Sequence, residues 1–155
     1  MIVSSPKEMA KFAQVAASLI AKLGPGPEKA TIIALVGDLG AGKTSFTQSF
    51  LKELGIKEKV VSPTFVIMRS FRLPRRQAGM SSKKKNAFKV AHHIDAYRVS
   101  ATELNSLGLK EMLKNPQNLI VIEWADRIKR SLPKGTIWIE IEHGKNEKHR
   151  TIKIS

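Results

Sequence analysis

A chain of 155 residues with 27 Lys and Arg against 13 Asp and Glu, a formal charge of +14, is long enough to bury a core as one domain and basic enough to favour polyanionic partners. The absence of cysteine excludes disulfides, thiolate-ligated zinc and thiol catalysis. No apolar run is long enough to span a bilayer, so the expectation is a cytoplasmic protein with no membrane partner.

The first element is a helix. Met9 to Leu23 is apolar but interrupted by Lys11 and Lys22, and Ser5-Pro6-Lys7-Glu8 reads as a capping box with proline at the first helical position, closed by Gly24. Thr31 to Val36 then reads as a fully buried strand, and Lys43 to Leu54 as a helix stopped by Gly55. Between them stands Gly37-Asp38-Leu39-Gly40-Ala41-Gly42-Lys43-Thr44, a complete P-loop in the strand, loop and helix order that the motif needs. Its glycines let backbone N–H groups face a phosphate at the helix N-terminus, where unpaired donors and the macrodipole favour negative charge. Lys43 would reach the β- and γ-phosphates, the Thr44 hydroxyl would hold Mg²⁺, and Ser45 adds a second hydroxyl. Asp38, Leu39, Gly40, Ala41 and Gly42 complete the expected contacts with a nucleotide.

Val60 to Met68 is strand-like, with Pro63 marking an edge or a start. Leu73 to Asn86 loses periodicity, and Phe88 to Ile94 returns as a strand, so 60–97 is expected to be a long hairpin with a basic tip, an insertion at about 72–89. From Lys59 to Ile94 basic residues stand at 59, 69, 72, 75, 76, 83, 84, 85 and 89 with no acid between them. Ser100-Ala101-Thr102-Glu103 is a second capping box, opening a helix that fades near Asn115-Pro116. Leu119 to Glu123 is a second buried strand and Ala125 to Leu132 a short helix. Thr136 to Glu142 and Arg150 to Ile154 alternate as a closing antiparallel hairpin. The fold class is α/β, a single P-loop NTPase-like layered domain over 1–155 with a mixed, mainly parallel central sheet and a basic β-hairpin. Its ligand is expected beyond the carboxyl ends of the buried strands.

A P-loop ATPase needs a carboxylate at the end of an apolar strand to serve Mg²⁺ or its water. Glu123 ends the better run, Leu119 to Ile122, and Asp95 ends the half-alternating strand through His93. Either carboxylate also suits a plain cap on the next helix, and the P-loop in the same domain favours a functional role for both. His92 and His93 are adjacent on a strand and face opposite sides, so they do not ligate one ion together, and His93 reads as a structural or supporting histidine. Trp124 fits either core packing or a place beside the nucleotide or a partner.

Gly37 to Thr44, Ser62-Pro63-Thr64-Phe65, His93-Ile94-Asp95-Ala96-Tyr97-Arg98, Glu103 to Leu109 and Ile122-Glu123-Trp124-Ala125-Asp126-Arg127-Ile128 together resemble the TsaE family, the small bacterial ATPases of tRNA threonylcarbamoyladenosine biosynthesis. The blocks stand in the family's order over nearly the whole chain. The resemblance implies an ATPase that does not itself transfer the threonylcarbamoyl group but docks on a TsaB–TsaD heterodimer and keeps modification of the adenosine beside the anticodon turning over. It implies Thr44 and Glu123 at Mg²⁺, Lys43 at the phosphates and Thr64 as a switch-like residue near the γ-phosphate. Asp95 would position water or metal, Trp124 would lie beside the site, and Arg150 resembles the arginine near the adenine pocket. tRNA would be met indirectly or through the basic loop. Two other readings are a small-molecule P-loop kinase and a basic nucleic-acid-binding module with a vestigial nucleotide site; intact Lys43, Thr44 and Glu123 weigh against the second.

Overall fold

Two apolar runs lie side by side at the centre of the molecule, and everything else is arranged around them. The structure is a computed structural model that describes residues 1–60, 66–74, 88–146 and 149–155. In chain order its elements are β1 (Ile2–Val3), α1 (Pro6–Leu23), β2 (Thr31–Val36), α2 (Lys43–Glu53), β3 (Met68–Arg72), β4 (Val90–Asp95), α3 (Ala101–Ser106), α4 (Leu109–Lys114), β5 (Asn118–Glu123), a 3₁₀ segment (Ala125–Ser131), β6 (Ile137–His143) and β7 (Arg150–Ile154).

The strands form one mixed sheet in the order β1-β7-β6-β2-β5-β4-β3. The four central strands β6, β2, β5 and β4 run parallel, while β3, β7 and β1 join antiparallel at the edges. Central strands covered on both faces carry near-continuous apolar sequence, and β5 is buried at every residue. Side chains alternate between two cores. Ile33, Leu35, Leu119 and Val121 pack under α1 and α2, whereas Ile32, Ala34, Ile120 and Ile122 face Leu104, Leu109 and Ile128 on the other side. The result is a three-layer α/β/α arrangement.

The helix starts follow local chemistry. Ser5 Oγ accepts from the Glu8 N–H at 3.2 Å with Pro6 at the first helical position, and Gly24 closes α1 through its N–H on the Ile20 carbonyl. The expected capping box is shifted by one residue: the Glu8 carboxylate accepts from the N–H and hydroxyl of Ser4, not from the Ser5 N–H. At Ser100 the box is reciprocal, with Glu103 N–H on Ser100 Oγ and Ser100 N–H on Glu103 Oε2.

Other expectations need correcting. The single helix after Ser100 is two, because Gly108 takes a left-handed φ of 92° between α3 and α4. The strand expected over 60–68 overlaps the observed β3 only at Met68; Val60 lies outside any strand, and 61–65 lie outside the described residues. β3 extends instead through Arg69 and Arg72, pairing with β4 in the expected hairpin. Residues 75–87 of the basic tip also lie outside the described residues. The short helix expected after Glu123 is present at Ala125–Ser131, as a 3₁₀ helix, and β1, too short to be read in sequence, pairs with β7.

α2 is seated by aromatic packing. Phe46 is fully buried, its ring 5.5 Å from that of Phe12 on α1 and 5.6 Å from that of Phe50. Phe46→Ala is expected to destabilise the fold by about 3–5 kcal/mol, through lost burial and the cavity left behind. Urea unfolding reads this as a lower midpoint at unchanged slope. A loss below about 1 kcal/mol would mean that α2 is held by something else.

Candidate functional site

The loop between β2 and α2 is shaped by backbone demands that glycine meets. Gly37 has φ 143°, and a Cβ there would run into the Ile141 carbonyl of β6. Gly42, at φ 110°, precedes α2 and offers no side-chain cap, so the first-turn N–H groups stay available to an anion. Lys43, the first residue of α2, is buried and folds back on the loop: its Nζ donates to the carbonyls of Gly37 at 2.6 Å and Asp38 at 2.8 Å. Burial pushes the Lys43 pKa below its ordinary value, while Glu123 leads the carboxylates that pull it back up.

Parallel pairing brings the two strand-end acids together. Asp95 on β4 and Glu123 on β5 are register partners, and Glu123 also pairs with Leu35 of β2. Glu123 is 2 % exposed, and both of its oxygens are engaged: Oε2 accepts from Thr44 Oγ1 at 2.7 Å, and Oε1 lies 2.7 Å from His93 Nε2. Asp95 is also buried, and its Oδ1 accepts from the Tyr97 N–H, a turn contact rather than a cap on the next helix, which Ser100 provides. The histidines do face opposite sides of β4. His92 Nδ1 shares a hydrogen bond with Ser70 Oγ, and burial pushes its pKa down, with the Asn118 side chain opposing.

Trp124 follows Glu123 with a left-handed backbone, φ 58° and ψ 38°. That turn carries its ring back over the loop, where Lys43 Nζ sits 3.5 Å from the ring centroid. The Tyr97 ring packs against Trp124 at 4.7 Å, tilted by 48°, and the Arg127 guanidinium lies 4.6 Å over Tyr97, so a ladder runs from the buried lysine to the surface. Sequence reading missed Tyr97 and Arg127 as members of the site; their place within the matching blocks was the available signal. Arg150 of β7 reaches the same loop from its other side, donating from Nε to the Ala41 carbonyl and from Nη2 to that of Gly40.

Two clefts flank the loop. One, of about 260 Å³, is lined by Val3, Met9, Gly40, Ala41, Gly42, Ser45 and Arg150. The other, of about 250 Å³, is lined by Gly37, Asp38, Trp124, Asp126, Glu140 and Glu142. A larger groove of about 410 Å³, with Lys29, Lys110, Lys114 and Leu132, lies where chain segments enter the central strands, at the opposite end of the sheet from the loop. The expected residues Asp38, Gly40, Ala41, Gly42, Lys43, Thr44, Ser45, Asp95, Glu123, Trp124 and Arg150 therefore gather at one end of the sheet. Leu39 is exposed there, its carbonyl 3.1 Å from His143 Nε2. Thr64 lies outside the described residues.

Residues 3–152 match the family model described as "Threonylcarbamoyl adenosine biosynthesis protein TsaE". Among curated relatives, the tRNA threonylcarbamoyladenosine biosynthesis protein TsaE of Haemophilus influenzae is 30% identical over 136 residues, covering 87% of this chain and 76% of the relative. Its namesake in Bacillus subtilis is 35% identical over 121 residues, covering 77% and 67%. That of Rickettsia prowazekii is 33% identical over 147 residues, covering 94% and 87%. Of solved structures, the crystal structure of YdiB from Bacillus subtilis superposes with a TM-score of 0.70 at 26% identity, covering 99% of this chain and 82% of that one. The chain belongs to the TsaE family of tRNA threonylcarbamoyladenosine biosynthesis.

Proposed function

We propose that the chain binds ATP with Mg²⁺ on the loop 37–44 and hydrolyses it, docked on a TsaB–TsaD heterodimer, in support of tRNA threonylcarbamoyladenosine formation. The observation that carries this reading is the 2.7 Å hydrogen bond from Thr44 Oγ1 to Glu123 Oε2. It joins the hydroxyl at the helix start to the strand-end carboxylate, the pair through which P-loop ATPases hold Mg²⁺. The donor set suits that ion: one hydroxyl and two carboxylates, Glu123 and Asp95, are hard oxygen ligands. Mg²⁺ held there would neutralise charge on the phosphate oxygens.

The chain's own groups then have distinct tasks. Lys43 would exchange the Gly37 and Asp38 carbonyls for phosphate oxygens, stronger acceptors for an ammonium group. The N–H groups around Gly42 would cradle the phosphates. Asp95, beside Glu123 and fixed by the Tyr97 N–H, would orient water. The cleft beside Arg150 is the natural place for the base, with Arg150 steadying Gly40 and Ala41. Clustered basic residues between 69 and 89 would add sequence-independent contacts to tRNA phosphates. The direct test is hydrolysis by the purified chain alone and with TsaB–TsaD. Marked acceleration is expected; fast turnover indifferent to the heterodimer, or phosphorylation of a small acceptor, would favour a kinase.

Lys43→Ala is expected to lower turnover by about 10²–10³-fold, the loss typical of one charge-stabilising donor. It should also weaken ATP more than ADP in calorimetry, because Lys43 is assigned to the β- and γ-phosphates. Unchanged affinity and turnover would remove the loop from the account.

Glu123→Ala and Asp95→Ala should each lose most turnover while circular dichroism stays native. As both act on one metal and one water, their effects should not add. A double variant that loses the full sum of the single effects would show two independent roles.

A further inference from the structure

His93 is fully buried, and nothing in the proposed chemistry uses it. Its Nε2 lies 2.7 Å from Glu123 Oε1, on the opposite side of the carboxylate from the Thr44 bond. Its Nδ1 is buried with no hydrogen-bond partner among the described residues. Two acceptors at 2.7 Å would repel, so the proton belongs on Nε2, which donates to Glu123. A proton on Nδ1 would instead be buried with nothing to receive it.

An apolar side chain would fill this place in the core without the orphaned Nδ1, but it would leave the buried Glu123 Oε1 without its partner. The imidazole is therefore explained by what it holds. Glu123 leaves β5 with its carboxylate fixed at both ends, by α2 through Thr44 and by β4 through His93. Remove the second hold, and the carboxylate can turn about its last side-chain bond and lose its aim at the Thr44 hydroxyl.

We propose that His93 is a positioning residue that orients the Glu123 carboxylate, through an Nε2–H donor, for the divalent cation shared with Thr44. The proposal rests on the reading of this site as a Mg²⁺–ATP site. Partners that hold a ligating carboxylate in this way commonly contribute 10- to 100-fold in metal affinity.

The experiment measures ATP affinity by calorimetry with and without Mg²⁺ for the native chain, His93→Leu and His93→Gln. The glutamine amide can donate from near the Nε2 position. In His93→Leu the gain in affinity that Mg²⁺ confers should fall about tenfold or more. In His93→Gln it should be largely restored, and Mg²⁺-free affinity should be similar in all three. Should the leucine variant not fold, His93→Asn, whose amide stops short of Glu123, carries the same expectation. ¹⁵N NMR of the histidine-labelled native chain should place the His93 proton on Nε2. A native Mg²⁺ gain in the leucine or asparagine variant, or a proton on Nδ1, would overturn the role of His93 alone. No Mg²⁺ gain in the native chain would overturn the ATP reading and this proposal with it.

Discussion

A carboxylate taken out of water is costly unless its oxygens find donors, and Glu123 meets that requirement with one donor from each side. Thr44 supplies one from the start of α2, and His93 the other from β4. Three segments far apart in sequence are thereby tied at one point. The tie depends on sheet register: Leu35, Glu123 and Asp95 stand in line across β2, β5 and β4. A slip of one residue in β5 would turn Glu123 to the opposite face and put an isoleucine or tryptophan in its place. The apolar faces resist such a slip because Leu119 and Val121 fill one core while Ile120 and Ile122 fill the other.

From that fixed point the loop geometry follows. The residue after Glu123 must leave the strand at once, and Trp124 does so in a left-handed conformation that costs about 1–3 kcal/mol for a residue other than glycine. The return on that strain is local. The indole closes over Lys43, and the contacts through Tyr97 to Arg127 carry the site to the surface. Arg150 braces the far side of the loop through two carbonyls. The glycine-rich segment is thus held from both flanks while its helix-facing N–H groups remain open to an anion.

Most of this was legible in the sequence where local chemistry and burial agree. The runs 31–36 and 119–123 read as buried strands because no polar residue interrupts them, and the loop between β2 and α2 carries its own signature. What escaped was set by tertiary pairing. The first strand of the hairpin was expected to end at Met68, where the apolar run stops; pairing with β4 instead makes Met68–Arg72 the strand. Gly108 lies inside the single helix expected after Ser100, and its positive φ breaks that helix in two. Thr44, Asp95 and Glu123 could be nominated from strand ends and the motif. The contact of His93 with Glu123 could not, since it joins neighbouring strands 30 positions apart in the chain. The roles nominated for Thr64 and for the tip at 75–87 concern residues outside those described.

The proposed function requires Thr44 and Glu123 to act as one cation-holding pair, so the most direct measurement is ATP binding to Thr44→Val by calorimetry, with and without Mg²⁺. Valine keeps the shape and volume of threonine and removes only the hydroxyl. Mg²⁺ is expected to strengthen ATP binding to the native chain, and Thr44→Val to erase this gain while leaving Mg²⁺-free binding in place. An undiminished Mg²⁺ gain in Thr44→Val would show that the Thr44 hydroxyl and Glu123 do not hold the cation together.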